Sequence, residues 1–379
     1  MTALAAWLIF AFPATVTLVL TIELAAALGP VRRLLETAAP SIAILVPAHD
    51  EAAGIAATIA GLRIAAPGGA RLIVIADNCT DDTASLAREA GAEVIERDDP
   101  ARRGKGFALA HARDRLTADP PEVAVVVDAD CDIGGDGVIR LAAAARASGR
   151  PVQSAYLLRP RPDLGAMVGL SGFAFLLRNL VRQRGLARLG APALLTGSGM
   201  AFPWETFAAA PLATGALAED LAIGVALARA DYPPAFLPDV VTWSDPARRA
   251  ATRMQRTRWE QGFLRIAAAE AWPLLASGRW PLLWLGLHLL VPPLALLVLI
   301  DGVALALLAW LAKPLPLVLM AILLAALLIL LPLNWLCFGR AQISGMRLLL
   351  IPLYVIWKVP IYLGALLRPE RRWIRTDRD

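Results

Sequence analysis

The sequence contains few cysteines, few histidines and few charged residues. Its 379 residues include 3 cysteines and 3 histidines. Cys79, Cys131 and Cys337 do not have the spacing of a zinc site or of a disulfide framework, which indicates a reducing compartment. Charged residues make up 18% of the chain and hydrophobic residues 58%, whereas ordinary soluble domains are about 25% charged. The composition therefore favours a protein with membrane segments.

Two phosphate-binding motifs are also missing. The GxxxxGK(S/T) pattern of P-loop proteins does not occur, and no GxGxxG follows the first predicted strand, so neither a P-loop nucleotide nor a Rossmann dinucleotide is indicated. No zinc-finger or helix-turn-helix signature is present. The net charge of +5 is better explained by arginines attracted to anionic lipid than by nucleic-acid binding. We expect contact with a membrane and no nucleic-acid partner.

A long apolar run near the N-terminus predicts a transmembrane helix. Residues 4–28 are long enough to cross a bilayer, and they lack the preceding basic residues of a signal peptide. Arg32 and Arg33 follow the run. By the positive-inside rule, the N-terminus is outside and the next domain is cytosolic. Residues 1–29 are therefore predicted to be an N-terminal transmembrane helix.

Apolar runs near the C-terminus predict further membrane helices. Residues 280–311 and 315–338 are predicted to span. Residues 348–367 contain Lys358 and two prolines and precede an arginine-rich tail. If they also spanned, the tail would lie outside, against the rule, so we predict that they lie in the inner interface. The expected protein is a multi-pass inner (cytoplasmic) membrane protein in which residues 280–379 form helices and a basic tail.

The region between these segments, residues 30–279, is predicted to be a cytosolic α/β domain. Short apolar runs alternate with segments that have helical character. Predicted strands are 42–47, 71–77, 92–97 and 123–130, and predicted helices are 54–66, 81–91 and 105–116. This alternation predicts a mostly parallel sheet with helices on both faces, because strands buried on both sides are almost continuously apolar.

Acidic residues follow several of the predicted strands. Glu51, Asp77, Asp128 and Asp130 all lie at or just after strand ends, where ligands of such sheets bind. Carboxylates gathered at one edge repel each other unless a cation neutralises them, and oxygen ligands suit Mg²⁺ or Mn²⁺. Lys105 is placed to reach phosphates at the same edge. The sequence therefore predicts a site for a divalent cation and a phosphorylated ligand.

Two other groups of residues have less specific interpretations. Asp132 fits either a loop acid or an accessory metal ligand. Arg178, Arg182 and Arg188 occur among large apolar residues, a pattern typical of an amphipathic helix on a membrane surface.

The order of short motifs resembles a known enzyme family. Along the chain occur "ILVPAHDE", "IADNCTDDT", "RGKGFAL", "VVVDAD", "TGSGMAF", "LAEDLAIG" and "QRTRW". Over about residues 40–265 this series resembles the family-two glycosyltransferases of the GT-A fold. It is most similar to the membrane-anchored branch that contains cellulose, hyaluronan and chitin-oligosaccharide synthases.

The resemblance implies a role for each matched residue. It implies that the nucleotide-sugar is bound by Pro47, Glu51, Asp77, Lys105 and Asp128, and that Asp130 binds the metal. Asp220 would be the catalytic base. The diphosphate or the acceptor would be contacted by Gly199, Glu219, Gln255, Arg256, Arg258 and Trp259. Two positions depart from the family's pattern: Asp50 stands where asparagine is common, and Ala218 replaces the usual threonine.

The function expected from these features is metal-dependent, inverting transfer of a sugar. The expected donor is a nucleotide-sugar of the UDP-sugar type, and the expected acceptor is a lipid or lipid-linked saccharide at the inner membrane face. Inversion is expected because the motifs supply a single base and no second nucleophile. A processive polysaccharide synthase is the alternative within this class. A catalytically silent scaffold and a nucleotidyltransferase are the alternatives outside it.

Overall fold

The computed structural model describes residues 2–31, 34–35, 40–214, 218–246 and 249–367. The chain divides into two compact units. The sheet unit consists of Arg32–Arg159 and Pro192–Asp245, and the helical unit consists of Met1–Val31, Pro160–Ala191 and Pro246–Asp379. Two segments inside the range 30–279 therefore group with the terminal helices.

In the sheet unit, strands alternate with helices; all elements are numbered along the whole chain. The strands are β1 (Ile42–Ala48), β2 (Arg71–Asp77), β3 (Glu93–Arg97), β4 (Val123–Val126), β5 (Cys131–Ile133), β6 (Val152–Leu158), β7 (Met200–Pro203) and β8 (Ala235–Ser244). The helices are α2 (Ile55–Ala65), α3 (Thr83–Glu89), α4 (Lys105–Leu116), α5 (Gly137–Ser148), α8 (Trp204–Ala209) and α9 (Glu219–Arg229).

The strands form one mixed sheet in the order β3-β2-β1-β4-β7-β6-β8-β5. The first four strands in this order, β3, β2, β1 and β4, are parallel to one another, whereas β7 is antiparallel to both β4 and β6. Helices α2, α3 and α4 connect the parallel strands, as the alternating pattern predicted. The predicted α/β class is confirmed.

The centre of the sheet is buried because its strands carry apolar residues on both faces. Leu45 of β1, Ile75 of β2 and Val126 of β4 pack in one cluster with Leu109 of α4 and Ile223 of α9. Full burial of each such side chain stabilises the fold by about 1.5–3 kcal/mol. This packing fixes the N-terminal ends of α4 and α9 relative to the strand ends.

The structure differs from the predicted 123–130 strand in a way that matters for the acids. Strand β4 ends at Val126, and the last sheet hydrogen bond next to it runs from Val127 N to Leu45 O at 3.1 Å. The chain then turns, with Cys131 N donating to Asp128 O at 3.0 Å. Asp128 and Asp130 therefore lie in a turn between β4 and β5 and are not part of a strand.

The helical unit contains the predicted membrane segments. Its helices are α1 (Thr2–Ala27), α6 (Ala166–Leu176), α7 (Arg182–Arg188), α10 (Arg249–Leu275), α11 (Trp280–Leu290), α12 (Leu294–Trp310), α13 (Pro314–Asn334), α14 (Gly345–Leu348) and α15 (Ile351–Leu367). A π-helical turn, Leu177–Val181, joins α6 to α7.

Two segments of the helical unit are long and apolar enough to cross a membrane, Ala3–Ala27 and Pro314–Gly339. The predicted 280–311 span is broken. Helices α11 and α12 meet at 74°, and Pro292 and Pro293 lie between them, where proline removes backbone donors and ends a helix. This pair is either one broken span or a re-entrant loop.

The arginine-rich segment around α7 lies on a surface only in part: Arg188 is exposed, whereas Arg182 is paired inside the helical unit. Arg182 donates to Glu23 of α1 at 2.6 Å, and Glu23 Oε1 lies 2.7 Å from Nδ1 of His288 in α11. Glu23 is fully buried. Gly185 packs so closely on α1 that a Cβ there would lie 2.4 Å from Glu23 O. Periodicity shows only that one face of the segment is charged. It does not show that Arg182 on this face pairs with Glu23 inside the helical unit.

Lys358, which argued against a span in residues 348–367, is also buried. It lies in α15, only 2% exposed, and donates to Glu260 of α10 at 2.5 Å. An ion pair lowers the cost of placing a lysine in an apolar helix. The arginine-rich tail, residues 368–379, lies outside the described residues.

Candidate active site

The turn after β4 brings the two acids of the "DAD" motif together. The Asp128 and Asp130 carboxylates and the Cys131 thiol lie within 4.8 Å of one another. The Asp128 backbone N–H donates to Ser198 Oγ at 3.0 Å, and Ser244 Oγ donates to Asp130 Oδ2 at 3.3 Å. The turn is thus held by the loop that precedes β7 and by the end of β8.

This group of oxygen atoms fits a hard divalent cation. Mg²⁺ in proteins is usually held by one or two carboxylates together with substrate phosphates, which matches Asp128 and Asp130. Burial raises the pKa of the Cys131 thiol well above its usual value, and the two carboxylates add to this effect. The thiol therefore stays protonated and supports Asp130 as a weak donor at 3.6 Å.

Lys105 begins α4 and faces the same turn. Its Nζ donates to Asp128 Oδ1 and, at 2.5 Å, to Gly197 O. Burial opposes the lysine's charge, but the carboxylates of Asp128, Glu219 and Asp220 outweigh it and raise the pKa of Lys105. A permanently cationic group is therefore held beside the acids, where it can neutralise a phosphate.

Gly197 leaves open a small space that several of these groups border. Its φ is +95°, and a Cβ at this position would lie 3.3 Å from Asp220 Oδ2, 3.6 Å from Lys105 Nζ and 3.9 Å from Asp128 Oδ2. The predicted base, the predicted phosphate ligand and the first acid of the "DAD" motif are therefore neighbours. Gly199 is the glycine of this motif that was predicted from the sequence, but Gly197 is the glycine that faces these groups.

Glu219 and Asp220 occupy the first turn of α9. The positive end of the helix dipole favours carboxylates there. Burial, followed by the charge of Asp220, raises the pKa of Glu219 to about 7. Near neutral pH the Glu219 carboxyl is therefore partly protonated, while Asp220 borders the space beside Gly197.

The ends of β1 and β2 form the other side of the predicted site. Asp77 is only 6% exposed and accepts a hydrogen bond at 2.5 Å from Arg97, an arginine that the motifs did not reveal. Asp50 and Asn78 both have φ of +52°, a backbone that aspartate and asparagine tolerate. The aspartate at position 50 thus meets the same conformational demand as an asparagine.

Two other residues that were predicted to bind the nucleotide-sugar lie beside these strand ends. Pro47 is in β1 beyond the last residue paired with β4, so no hydrogen bond of that ladder is lost to its missing N–H. The Glu51 backbone N–H donates to Thr83 Oγ1 at 2.7 Å at the start of α3.

Not all predicted residues join this group. A Cβ on Gly199 would lie 2.0 Å from both Ser154 Oγ and Thr242 Oγ1, so this glycine is required by close packing within the sheet. Asp132 pairs with Arg159, which favours the loop-acid interpretation. Gln255, Arg256, Arg258 and Trp259 lie along α10, and their side chains are outside the described residues.

Comparison with known proteins places this fold in a class. A mannosyltransferase from Pyrobaculum calidifontis, PcManGT, solved in complex with GDP-Man and Mn²⁺, has a similar structure: the TM-score is 0.62 at 19% identity, covering 98% of this chain and 100% of that one. At this identity the similarity concerns the fold.

The family profile for glycosyltransferase-like family 2 matches residues 39–262. The chain belongs to this family and is a nucleotide-sugar glycosyltransferase of the GT-A type. The family predicted from the motifs is confirmed. No curated protein matches the chain.

Two further structures match a smaller part of the chain. Glucosyl-3-phosphoglycerate synthase from Mycobacterium tuberculosis, in complex with Mn²⁺, UDP and glucosyl-3-phosphoglycerate, is 22% identical with a TM-score of 0.41, covering 63% of this chain and 82% of that one. Mannosyl-3-phosphoglycerate synthase from Rubrobacter xylanophilus is 18% identical with a TM-score of 0.40, covering 61% and 75%.

The space beside Gly197 can be tested with an added methyl group. Gly197→Ala is expected to lower the rate of sugar transfer at least about tenfold, because displacing reacting groups by an ångström has effects of this size or more. Gly135→Ala is the matched control: φ is +61° and nothing lies within 4 Å of its Cβ. Both variants should lose about 1 kcal/mol of stability from backbone strain. Equal transfer rates in the two variants would show that the space is not used.

Proposed function

We propose that the protein is a membrane-anchored inverting glycosyltransferase, which moves a sugar from a nucleotide-sugar to a lipid or lipid-linked saccharide at the inner membrane face. One observation carries the proposal. In a family 2 chain, Lys105, Asp128 and Asp220 border a single space beside Gly197, and Asp130 lies next to Asp128.

The donor is bound along the strand ends. Pro47, Glu51, Asp77 and Asp128 contact the nucleotide, and Lys105 lies near its phosphates. Asp130, with Asp128 beside it, holds Mg²⁺ or Mn²⁺. When bound, the cation neutralises charge on the departing diphosphate. The metals and nucleotides in the described complexes of PcManGT and of the Mycobacterium tuberculosis synthase are consistent with this assignment.

The reaction is a single displacement. The acceptor hydroxyl oxygen forms a bond to the anomeric carbon, the bond from that carbon to the diphosphate breaks, and the nucleoside diphosphate leaves. Asp220 takes the hydroxyl proton as general base. Glu219 adjoins the base, and Gln255, Arg256, Arg258 and Trp259 contact the diphosphate and the acceptor. A single displacement inverts the configuration at the anomeric carbon.

The membrane helices favour a lipid acceptor over a processive synthase of the cellulose or hyaluronan type. Polymer export through the same chain needs a channel. The described residues provide two candidate spans, or three if the bent pair α11–α12 counts as one, too few to enclose one. We further propose that the sheet unit is cytosolic, because Arg32 and Arg33 follow the N-terminal helix.

Membrane vesicles from cells that produce the protein test the activity and its orientation together. Inverted vesicles are supplied with radiolabelled UDP-sugars and GDP-sugars and divalent cation. We expect label in the organic-solvent extract and release of nucleoside diphosphate, and neither in sealed right-side-out vesicles. Label in insoluble polymer would support the synthase instead, and release of labelled sugar 1-phosphate would support a nucleotidyltransferase. No label with any donor would contradict the proposal.

A further inference from the structure

A cavity of about 170 Å³ lies among the helices of the helical unit. Its walls come from α1, α6, α10, α12, α13 and α15 and are mostly apolar, with Leu20, Phe173, Ala174, Val298, Leu331 and Val355 among them. Cavities of about 150 Å³ with such walls stay dry and take up small apolar molecules. This cavity therefore has room for a segment of a hydrocarbon chain.

The cavity also has a charged side. Arg178, Arg182, Lys358 and Glu260 all contribute to its lining, so three cationic groups face one carboxylate. Glu23, which pairs with Arg182 from outside the lining, brings the carboxylates to two. An excess of positive charge beside an apolar wall matches an amphiphile with an anionic head group.

Two buried polar groups lie at this side, the Glu260 carboxylate and the Tyr362 hydroxyl, and both residues line the cavity. Glu260 Oε2 and Tyr362 Oη make no hydrogen bond of good geometry among the described residues, although the two side chains are close enough to interact with each other. Tyr362 is 8% exposed. Buried polar groups are nearly always hydrogen-bonded. A head group with acceptor and hydroxyl atoms would satisfy the tyrosine and the carboxylate together.

We propose that this cavity binds one lipid with a phosphate-containing head group. The chain occupies the apolar part, and the phosphate lies against Arg178 and Lys358, with Tyr362 donating to it. The binding site stands on the helical unit alone. Its assignment as the acceptor site rests on the proposed function, because only an enzyme that glycosylates lipids requires its acceptor to be held this way.

Native mass spectrometry of the purified full chain tests the site. The probes are phosphatidylglycerol and phosphatidylcholine with identical chains. Wild type should retain one phosphatidylglycerol and prefer it over phosphatidylcholine by about fivefold, the effect of roughly one extra cationic contact. Ala174→Trp should reduce retention of either lipid at least about tenfold, because it displaces several methylene groups from the cavity.

Matched variants separate the cavity from general effects on the protein. Ala321→Trp adds the same side chain at an exposed position of α13 and should retain lipid as wild type does. Val298→Phe fills the cavity from α12 instead of α6. It is used in the same retention measurement if Ala174→Trp does not fold. Arg178→Gln should abolish the preference for phosphatidylglycerol, whereas Arg340→Gln, at an exposed arginine, should keep it.

Each outcome decides a separate point. Equal retention by the Ala174→Trp and Ala321→Trp variants would overturn the cavity site, and an unchanged preference in Arg178→Gln would overturn the head-group assignment. Nucleotide-sugar binding by the sheet unit should be the same in all variants. If lipid binds as expected but vesicles form no glycolipid, the proposed function fails and the lipid site stands. If Ala174→Trp forms glycolipid at the wild-type rate, the cavity does not hold the acceptor.

Discussion

Asp220→Asn is expected to lower the rate of sugar transfer about a hundredfold or more, the usual effect of removing a general base. Asparagine preserves the size of the side chain and much of its hydrogen bonding but cannot accept the acceptor's proton. The carboxylate lies in the first turn of α9, whose dipole favours the ionised form. It also borders the space beside Gly197, where the reacting groups would meet.

The same variant should bind the donor almost as wild type does, because the predicted nucleotide contacts lie on Glu51, Asp77 and Asp128. Calorimetry with the nucleotide-sugar and a single-turnover transfer assay measure the two properties. Asp136→Asn is the matched control, since Asp136 immediately precedes α5 and is exposed. Transfer at a near-normal rate in Asp220→Asn would remove Asp220 from the mechanism.

Asp130→Ala is expected to abolish detectable Mn²⁺ binding in the presence of nucleoside diphosphate and to reduce turnover a hundredfold or more. A catalytic cation contributes several kcal/mol of transition-state stabilisation, and about 1.4 kcal/mol corresponds to a factor of ten in rate. Asp130→Ala removes the hydrogen bonds from Ser244 and Cys131 to the carboxylate. The bonds from Asp128 N–H to Ser198 Oγ and from Cys131 N–H to Asp128 O remain, so the turn between β4 and β5 should stay in place.

Asp132→Ala provides the control for that experiment, because Asp132 is an acid of the same segment that pairs with Arg159. Both partners of this ion pair are about 40% exposed, so its loss should cost at most about 1 kcal/mol. Electron paramagnetic resonance of Mn²⁺ and the transfer assay should give wild-type values. A larger loss of Mn²⁺ affinity in Asp132→Ala than in Asp130→Ala would show that the wrong acid was assigned.

The parallel half of the sheet could be predicted because the local sequence pattern of each strand indicates a buried strand. "IAILVPA" and "RLIVIAD" are short apolar runs between helices, and β1 and β2 lie within a residue of where they were expected. The second half was not predicted. β7 has four residues, β6 contains Gln153 and Ser154, and β8 contains Pro238, so pairing with distant strands decides their structure.

The candidate site shows the same division between local and distant information. Motifs indicated Asp128, Asp130, Lys105 and Asp220, whose residue types carry the chemistry. The motifs did not indicate Arg97, which pairs with Asp77 of the adjacent strand. They also did not indicate Ser244, which lies more than a hundred residues from Asp130 in the sequence. They also could not separate Gly197 from Gly199, because only the fold decides which glycine faces the charged groups and which packs on Ser154.

Synthesis of the polypeptide separates Glu23 from its partners in time. Arg182 follows it by 159 residues and His288 by 265. At translation rates of about 5–20 residues per second, the carboxyl group waits on the order of ten seconds or more for the first of them. During that interval the Glu23 carboxylate of α1 has neither of the two partners that it has in the folded unit. The buried cluster of Glu23, Arg182 and His288 is therefore complete only after α11 has left the ribosome.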